Sequence, residues 1–155
     1  MLATVGSLIR HSPPRELICV AASAQVAEAV EVMTRADIGA VIVMTEDGLV
    51  GGIFTERDLM VRVARTGLAL ATTPVSKVMS PDVRFVAPST TIRAALDLML
   101  RDRHRHLLVI DGPHVDGLVS MRDLVLQLVR DSETGPVGEA ASAGSDTRPR
   151  ADAQP

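Results

Sequence analysis

A chain of 155 residues with 46% hydrophobic residues can bury one real core or two very small ones, and with aromatics at 1% that core has to be aliphatic. A net charge of −3 and only two aromatic rings, Phe54 and Phe85, argue against a nucleic-acid surface, which gathers Lys and Arg against phosphates and stacks bases on rings. A single cysteine, Cys19, excludes an intrachain disulfide or a cysteine metal site, and no run approaches the ~18 apolar residues of a membrane span. Met1 to Arg10 lacks a basic stretch leading into a long apolar one, so the expectation is a soluble, cytoplasmic protein with no membrane partner.

Taken in order, the chain is written twice. Val5-Gly6-Ser7-Leu8-Ile9 matches Val75-Ser76-Lys77-Val78-Met79, a short apolar turn opening each half. An insertion at His11 to Glu16 follows in the first half, and its paired prolines, Pro13 and Pro14, predict a loop. Val20-Ala21-Ala22-Ser23 matches Val86-Ala87-Pro88-Ser89, with Cys19 placed on the first strand as a small buried residue. Apolar residues then recur at i, i+3, i+4 and i+7: Val26, Ala29, Val30, Met33, and Ile92, Ala95, Leu96, Met99. Each set predicts an amphipathic helix, capped by Thr91 in the second half and, Gln25 being a weak capper, by Ser23 in the first.

Two strands follow in each half. Ala40-Val41-Ile42-Val43-Met44 and Leu107-Leu108-Val109-Ile110 are apolar, β-branched and too short for buried helices. Turn residues come next, Glu46-Asp47-Gly48 and Asp111-Gly112-Pro113. Then the chain reads Gly52-Ile53-Phe54-Thr55-Glu56-Arg57-Asp58-Leu59 and, again, Gly117-Leu118-Val119-Ser120-Met121-Arg122-Asp123-Leu124. A closing helix takes its apolar side from Leu59, Met60 and Val63, or from Leu124, Leu128 and Val129, and Gly67 is placed to stop the first of these. The fold class is therefore α+β: two pseudo-twofold-related β-α-β-β-α repeats, 1–70 and 71–131, packed sheet to sheet. From Ser132 onward (132–155) Gly, Pro, Ala, Ser, Asp and Arg dominate, and this tail is expected to be disordered.

Thr-x-x-Asp and Ser-x-x-Asp at the end of a strand are helix caps in their own right. The same positions set a hydroxyl and a carboxylate beside free N–H groups and the positive end of a helix, which suits an anion. One occurrence reads as capping; two in matched context, each with its Arg, favour a ligand at one or both. Rival sites are weaker. His104 and His106 lack further ligands at metal spacing, and Arg101, Arg103 and Arg105 read as a solvated helix end or a phosphate contact. No phosphate loop, catalytic triad or pair of carboxylates in an apolar setting is present, so no enzyme, cofactor or metal is expected.

From Val5 to Arg130 the repeat resembles the tandem cystathionine-β-synthase (CBS) domain pair, or Bateman module. The resemblance rests on Ile38-Gly39-Ala40-Val41-Ile42-Val43 with the Gly52–Leu59 motif. In the second half it rests on Val78-Met79-Ser80, Arg105-His106-Leu107-Leu108-Val109-Ile110-Asp111 and the Gly117–Leu124 motif. The chain departs from many relatives in carrying Ala22 and Leu108 where proline stands, and in the insertion at 11–16. The resemblance implies adenine-nucleotide sensing (AMP, ADP, ATP or S-adenosylmethionine) in the cleft between the halves. Thr55, Asp58, Ser120 and Asp123 would hold ribose and phosphate, Arg57, Arg122, Arg105 and His106 would meet phosphate charge, and Ala40 would line the adenine wall. It further implies a homodimer joined through the helices and an effector protein in another chain. The rival reading is an interaction module with vestigial pockets.

Overall fold

The computed structural model describes residues 3–11 and 17–133. The predicted element order is present in both halves. In the first, β1 (Cys19–Ala21), α2 (Val26–Ala36), β2 (Ala40–Met44), β3 (Val50–Thr55) and α3 follow an opening helix, α1 (Val5–His11). α3 begins as one helical turn, Glu56–Asp58, and continues as a π-helical stretch, Leu59–Ala64. The second half runs from a 3₁₀ turn at Val75–Lys77 through β4 (Phe85–Val86), α4 (Ile92–Asp102), β5 (His106–Asp111) and β6 (His114–Ser120) to α5 (Met121–Glu133). Each half holds a three-stranded sheet in sequence order, with the first strand parallel to the second and the second antiparallel to the third. Both hairpins carry a bulge at the same place, after Val43 and after Val109.

Strand alternation splits each sheet into two apolar faces. Val41, Val43 and Phe54 pack with Val26, Ala29 and Met33 of α2; Leu107, Val109 and Val119 pack with Ile92, Ala95 and Met99 of α4. The opposite faces, with Ala40 and Ile42 in one sheet and Leu118 and Ser120 in the other, look across at each other and line the space between the halves. Sheet-to-sheet packing thus follows from strands apolar on both sides.

The opening segments cross over. Val5 and Leu8 lie in the core of the second half, while Val75 and Val78 lie in the core of the first. The backbone bonds repeat the exchange: Val5 N–H donates to Thr90 O and Gly6 N–H to Pro88 O, as Val75 N–H donates to Ala24 O and Ser76 N–H to Ala22 O. Gly6 is required there, since a Cβ would stand 2.8 Å from Pro88 Cβ and 2.9 Å from its carbonyl oxygen. Each half therefore completes its core with a segment belonging, by sequence order, to the other.

Several local expectations are corrected. The first opening segment is a helix rather than a turn, and it includes His11; the rest of the predicted insertion, 12–16, lies outside the described residues. Ser23 does not cap α2, and Gln25, at the cap position, makes no side-chain cap bond. The incoming chain supplies acceptors instead, Thr73 O for Val26 N–H and Leu70 O for Ala27 N–H. Thr91 caps α4 as expected, accepting from Ala94 N–H at 3.2 Å. Cys19 is half-buried, and burial pushes its thiol up from the ordinary range. Met60, Leu128 and Val129 are exposed, because each closing helix packs a single narrow stripe, Val63 or Leu124, against its own half. Gly67 does end α3, with φ +71° and its N–H on Ala64 O. α5 runs through Ser132 and Glu133, so the tail begins later than the composition indicated, and 134–155 lie outside the described residues.

Candidate functional site

A cleft of about 1760 Å³ separates the two halves, larger than the ~300–1,000 Å³ of an ordinary ligand pocket. Its walls come from both sheets. Ile38, Ala40, Ile42 and Leu59 contribute an aliphatic side from the first half, and Leu118, Val119 and Met121 from the second. Polar groups also line it: Arg105, His106, Ser120, Arg122 and Asp123 from the second half, Glu56 from the first and Arg10 from α1.

The local structure explains these positions. α2 and α4 both end on a non-glycine residue in the left-handed region, Asp37 (φ 52°) and Arg103 (φ 56°). The next N–H turns back to the helix, Ile38 to Met33 O and His104 to Met99 O, both at 3.0 Å. That tight reversal delivers Gly39-Ala40 and Arg105-His106 to the first residues of their strands. Each pair then receives the start of the last helix, as Glu56 N–H donates to Gly39 O and Met121 N–H to Arg105 O. Ala40 pairs in register with Thr55, and His106 with Ser120.

The two motifs share one capping geometry. Thr55 N–H and Oγ1–H donate to Asp58 Oδ2 at 3.0 and 2.9 Å, and Asp58 N–H returns a bond to Thr55 Oγ1 at 3.2 Å. Ser120 and Asp123 repeat it at 2.9, 2.6 and 3.2 Å. The surroundings differ. Ser120 and Asp123 are half-buried on the cleft wall, whereas Asp58 is 7% exposed and, with Thr55 and Arg57, lies off it. Of the nine residues singled out in the sequence, the cleft gathers Ala40, Arg105, His106, Ser120, Arg122 and Asp123. Arg122, like Arg57, is exposed.

Sequence reasoning did not single out Glu56, Arg10 or the partners of Asp58, which are Ser80 and Arg62. Arg62 stands at i+4 from Asp58, a spacing that could have flagged it. His104 does not enter the cleft wall; it ties the connection between the halves to the end of α4, with ring nitrogens 2.8 Å from Asp102 O and 3.2 Å from Asp82 O. Nearby, the Arg101 hydrogen bond holds the Asp102 carboxyl below its usual range. Among the described residues no cluster of His, Cys, Asp or Glu could hold a metal, and no helix is long and apolar enough to cross a membrane.

Burial pushes the His106 imidazole below its ordinary range; Arg105 adds to the lowering, while Asp123, Glu56 and Asp58 oppose it. The unfolded chain takes up this proton near pH 6.5, and the folded chain only at lower pH. This contribution to stability is therefore complete above pH 6.5 and falls as the pH drops through the folded value. Urea midpoints measured from pH 7.5 to 5 should decline less steeply in His106→Gln than in the parent; parallel curves would remove His106 from the account.

Comparison with known proteins agrees with this architecture. The CBS domain family model matches residues 5–65 and again 75–130. The chain is 35% identical over 117 residues to the 17.7 kDa protein of the bps2 3′ region of Acidianus ambivalens, covering 75% of this chain and 69% of that one. It superposes with TM-score 0.80 on a CBS-domain protein of Burkholderia ambifaria MC40-6, at 32% identity, covering 86% of this chain and 99% of the other. The fold is also that of the Pyrobaculum aerophilum CBS domain protein PAE2072, solved in complex with AMP, at TM-score 0.66 and 19% identity over 82% of this chain and 98% of that one. Longer plant relatives match as well, and the chain spans 22–24% of their length. Two crossed repeats, two three-stranded sheets and a cleft between them make this chain a tandem CBS-domain module, a member of the family typical of regulatory and signal-transduction proteins.

Proposed function

We propose that the module senses an adenine nucleotide, of the AMP, ADP, ATP or S-adenosylmethionine class, in the cleft between its halves, and passes occupancy to an effector protein. The observation that carries this reading is that the Ser120–Asp123 pair lines the same cleft as Arg105 and Arg122, beside aliphatic walls. A carboxylate there accepts from paired ribose hydroxyls, the two guanidinium groups meet phosphate, and the aliphatic walls at Ala40, Ile42 and Leu118 enclose a base without an aromatic ring. The α5 N-terminus adds its positive end at the same place. The AMP held by the Pyrobaculum aerophilum protein is of this chemical class.

The effector is reached through an assembly. Met60 and Val61 on α3, and Val125, Leu126, Leu128 and Val129 on α5, are exposed apolar residues on two helices, more than one small module leaves in water without a use. They suit a homodimer joined through the closing helices. The same face favours the second reading, a dimerisation module whose pocket stays empty. Calorimetric titration with AMP, ADP, ATP and S-adenosylmethionine separates the two, using protein stripped of carried-over nucleotide. Saturable binding of at least one, with Kd below about 1 mM, supports sensing; heats of dilution alone for all four leave the dimerisation reading.

A further inference from the structure

The crossing of the opening segments delivers one cation that neither motif contains. α1 belongs by sequence to the first half but packs on the second. Leu8 lies in that core, Ile9 packs against it, and Ile9 Cδ1 lies 3.2 Å from where a Cβ on Gly117 would stand. The first half repeats the contact, since a Cβ on Gly52 would lie 2.8 Å from Met79 Sδ. Gly52 and Gly117 open the two motifs, so Met79 and Ile9 hold equivalent places. The residue after Met79 is Ser80, and its hydroxyl reaches the first motif, 3.0 Å from Asp58 Oδ1. The residue after Ile9 is Arg10. It leaves an equivalent anchor beside the second motif, and its exposed side chain lines the cleft with Ser120 and Asp123.

Charge gives that placement a consequence. Among the described residues of the second half that line the cleft, Arg105 and Arg122 are matched by Asp116 and Asp123. His106 adds no cation near neutral pH, since burial holds its imidazole below the ordinary range. Across the cleft the first half contributes Asp37 and Glu56. Arg10, on the helix that packs against the second half, is therefore the charge that makes the wall around the Ser120 motif net positive. An anion entering the cleft meets a balanced wall without Arg10 and an attractive one with it. A guanidinium also suits phosphate, because its planar donors can bond two oxygens at once.

We propose that Arg10 is a phosphate-binding residue of the cleft, brought to the second half by the crossed α1, and that it sets a preference for nucleotides with more than one phosphate. This rests on the sensing reading and narrows it. Arg105 and Arg122 suffice for a first phosphate, and each further phosphate adds negative charge that only the net positive wall rewards. ADP and ATP therefore bind more tightly than AMP, and adenosine, which carries no phosphate, binds as if Arg10 were absent.

The test is calorimetric titration of adenosine, AMP, ADP and ATP, in magnesium-free buffer, into the parent, Arg10→Gln and Arg10→Lys, with urea midpoints on the same proteins. Arg10→Gln should weaken ADP and ATP by about tenfold and leave adenosine within about twofold, at an unchanged midpoint because the side chain is exposed. Arg10→Lys should recover part of the loss, since the charge remains and the paired donors do not. Equal losses for adenosine and ATP, or parental ATP affinity in Arg10→Gln, would overturn the role of Arg10 while nucleotide binding stands. A parent that binds AMP as tightly as ATP overturns the preference. A parent that binds none of the four overturns the Arg10 role, and the sensing reading as well if S-adenosylmethionine also gives only heats of dilution.

Discussion

Phe54→Ala should lower the unfolding free energy by about 3–5 kcal/mol, the largest loss expected from any single truncation in this chain. Phe54 has no solvent exposure and lies in the core of the first half, among Val41, Val63, Val75 and Val78. It is the one aromatic ring in an otherwise aliphatic interior, Phe85 being 66% exposed. Its neighbours on the strands are held in register by the sheet, so they cannot collapse into the space it leaves. A domain of this size is stable by about 5–15 kcal/mol in total, so the variant forfeits a large share. Because Val75 and Val78 come from the crossing segment, weakening this core also loosens the connection to the second half. Urea unfolding followed by circular dichroism should show one transition at a much lower midpoint; a loss under about 1 kcal/mol would mean that the core repacks.

The largest functional effect should come from Asp123→Asn. Charge-assisted hydrogen bonds are worth about 1.5–3 kcal/mol, and each 1.4 kcal/mol is tenfold in affinity, so nucleotide binding should weaken by roughly 10- to 100-fold. Asparagine keeps the shape, and its amide oxygen can still accept from Ser120 N–H and Oγ–H in the capping box. Calorimetry gives the affinity, and a melt on the same samples gives the fold. An affinity equal to the parent's would return Asp123 to a purely capping role.

These two expectations draw on different kinds of information. That position 54 is apolar and on a strand was readable from the alternation around it. That the Ser120 motif and the Thr55 motif differ was not readable within either motif, since both spell hydroxyl, two residues, carboxylate. Asp58 is 7% exposed and Asp123 half-buried, and the Ser80 bond to Asp58 forms only when the crossing brings the two together. The exposed face of α5 is a similar case. Leu128 and Val129 carry the helical period of a core, and whether a helix buries that stripe depends on what lies opposite, which no local pattern records.

By itself the sequence determined the duplication, the order of strands and helices in each half, the α+β class and the family, because hydrophobic period and turn residues act locally and the repeat supplied each reading twice. It also determined the capping geometry of both motifs, since a cap needs only residues three apart. The tertiary structure alone decided which carboxylate faces the cleft, which half each opening segment completes, and which apolar residues remain in water. Those outcomes depend on contacts between segments far apart in the chain. The bond between Ser80 and Asp58 spans 22 residues, Val5 shares the second half's core with Leu124 more than a hundred residues away, and only the folded crossing brings such groups within reach.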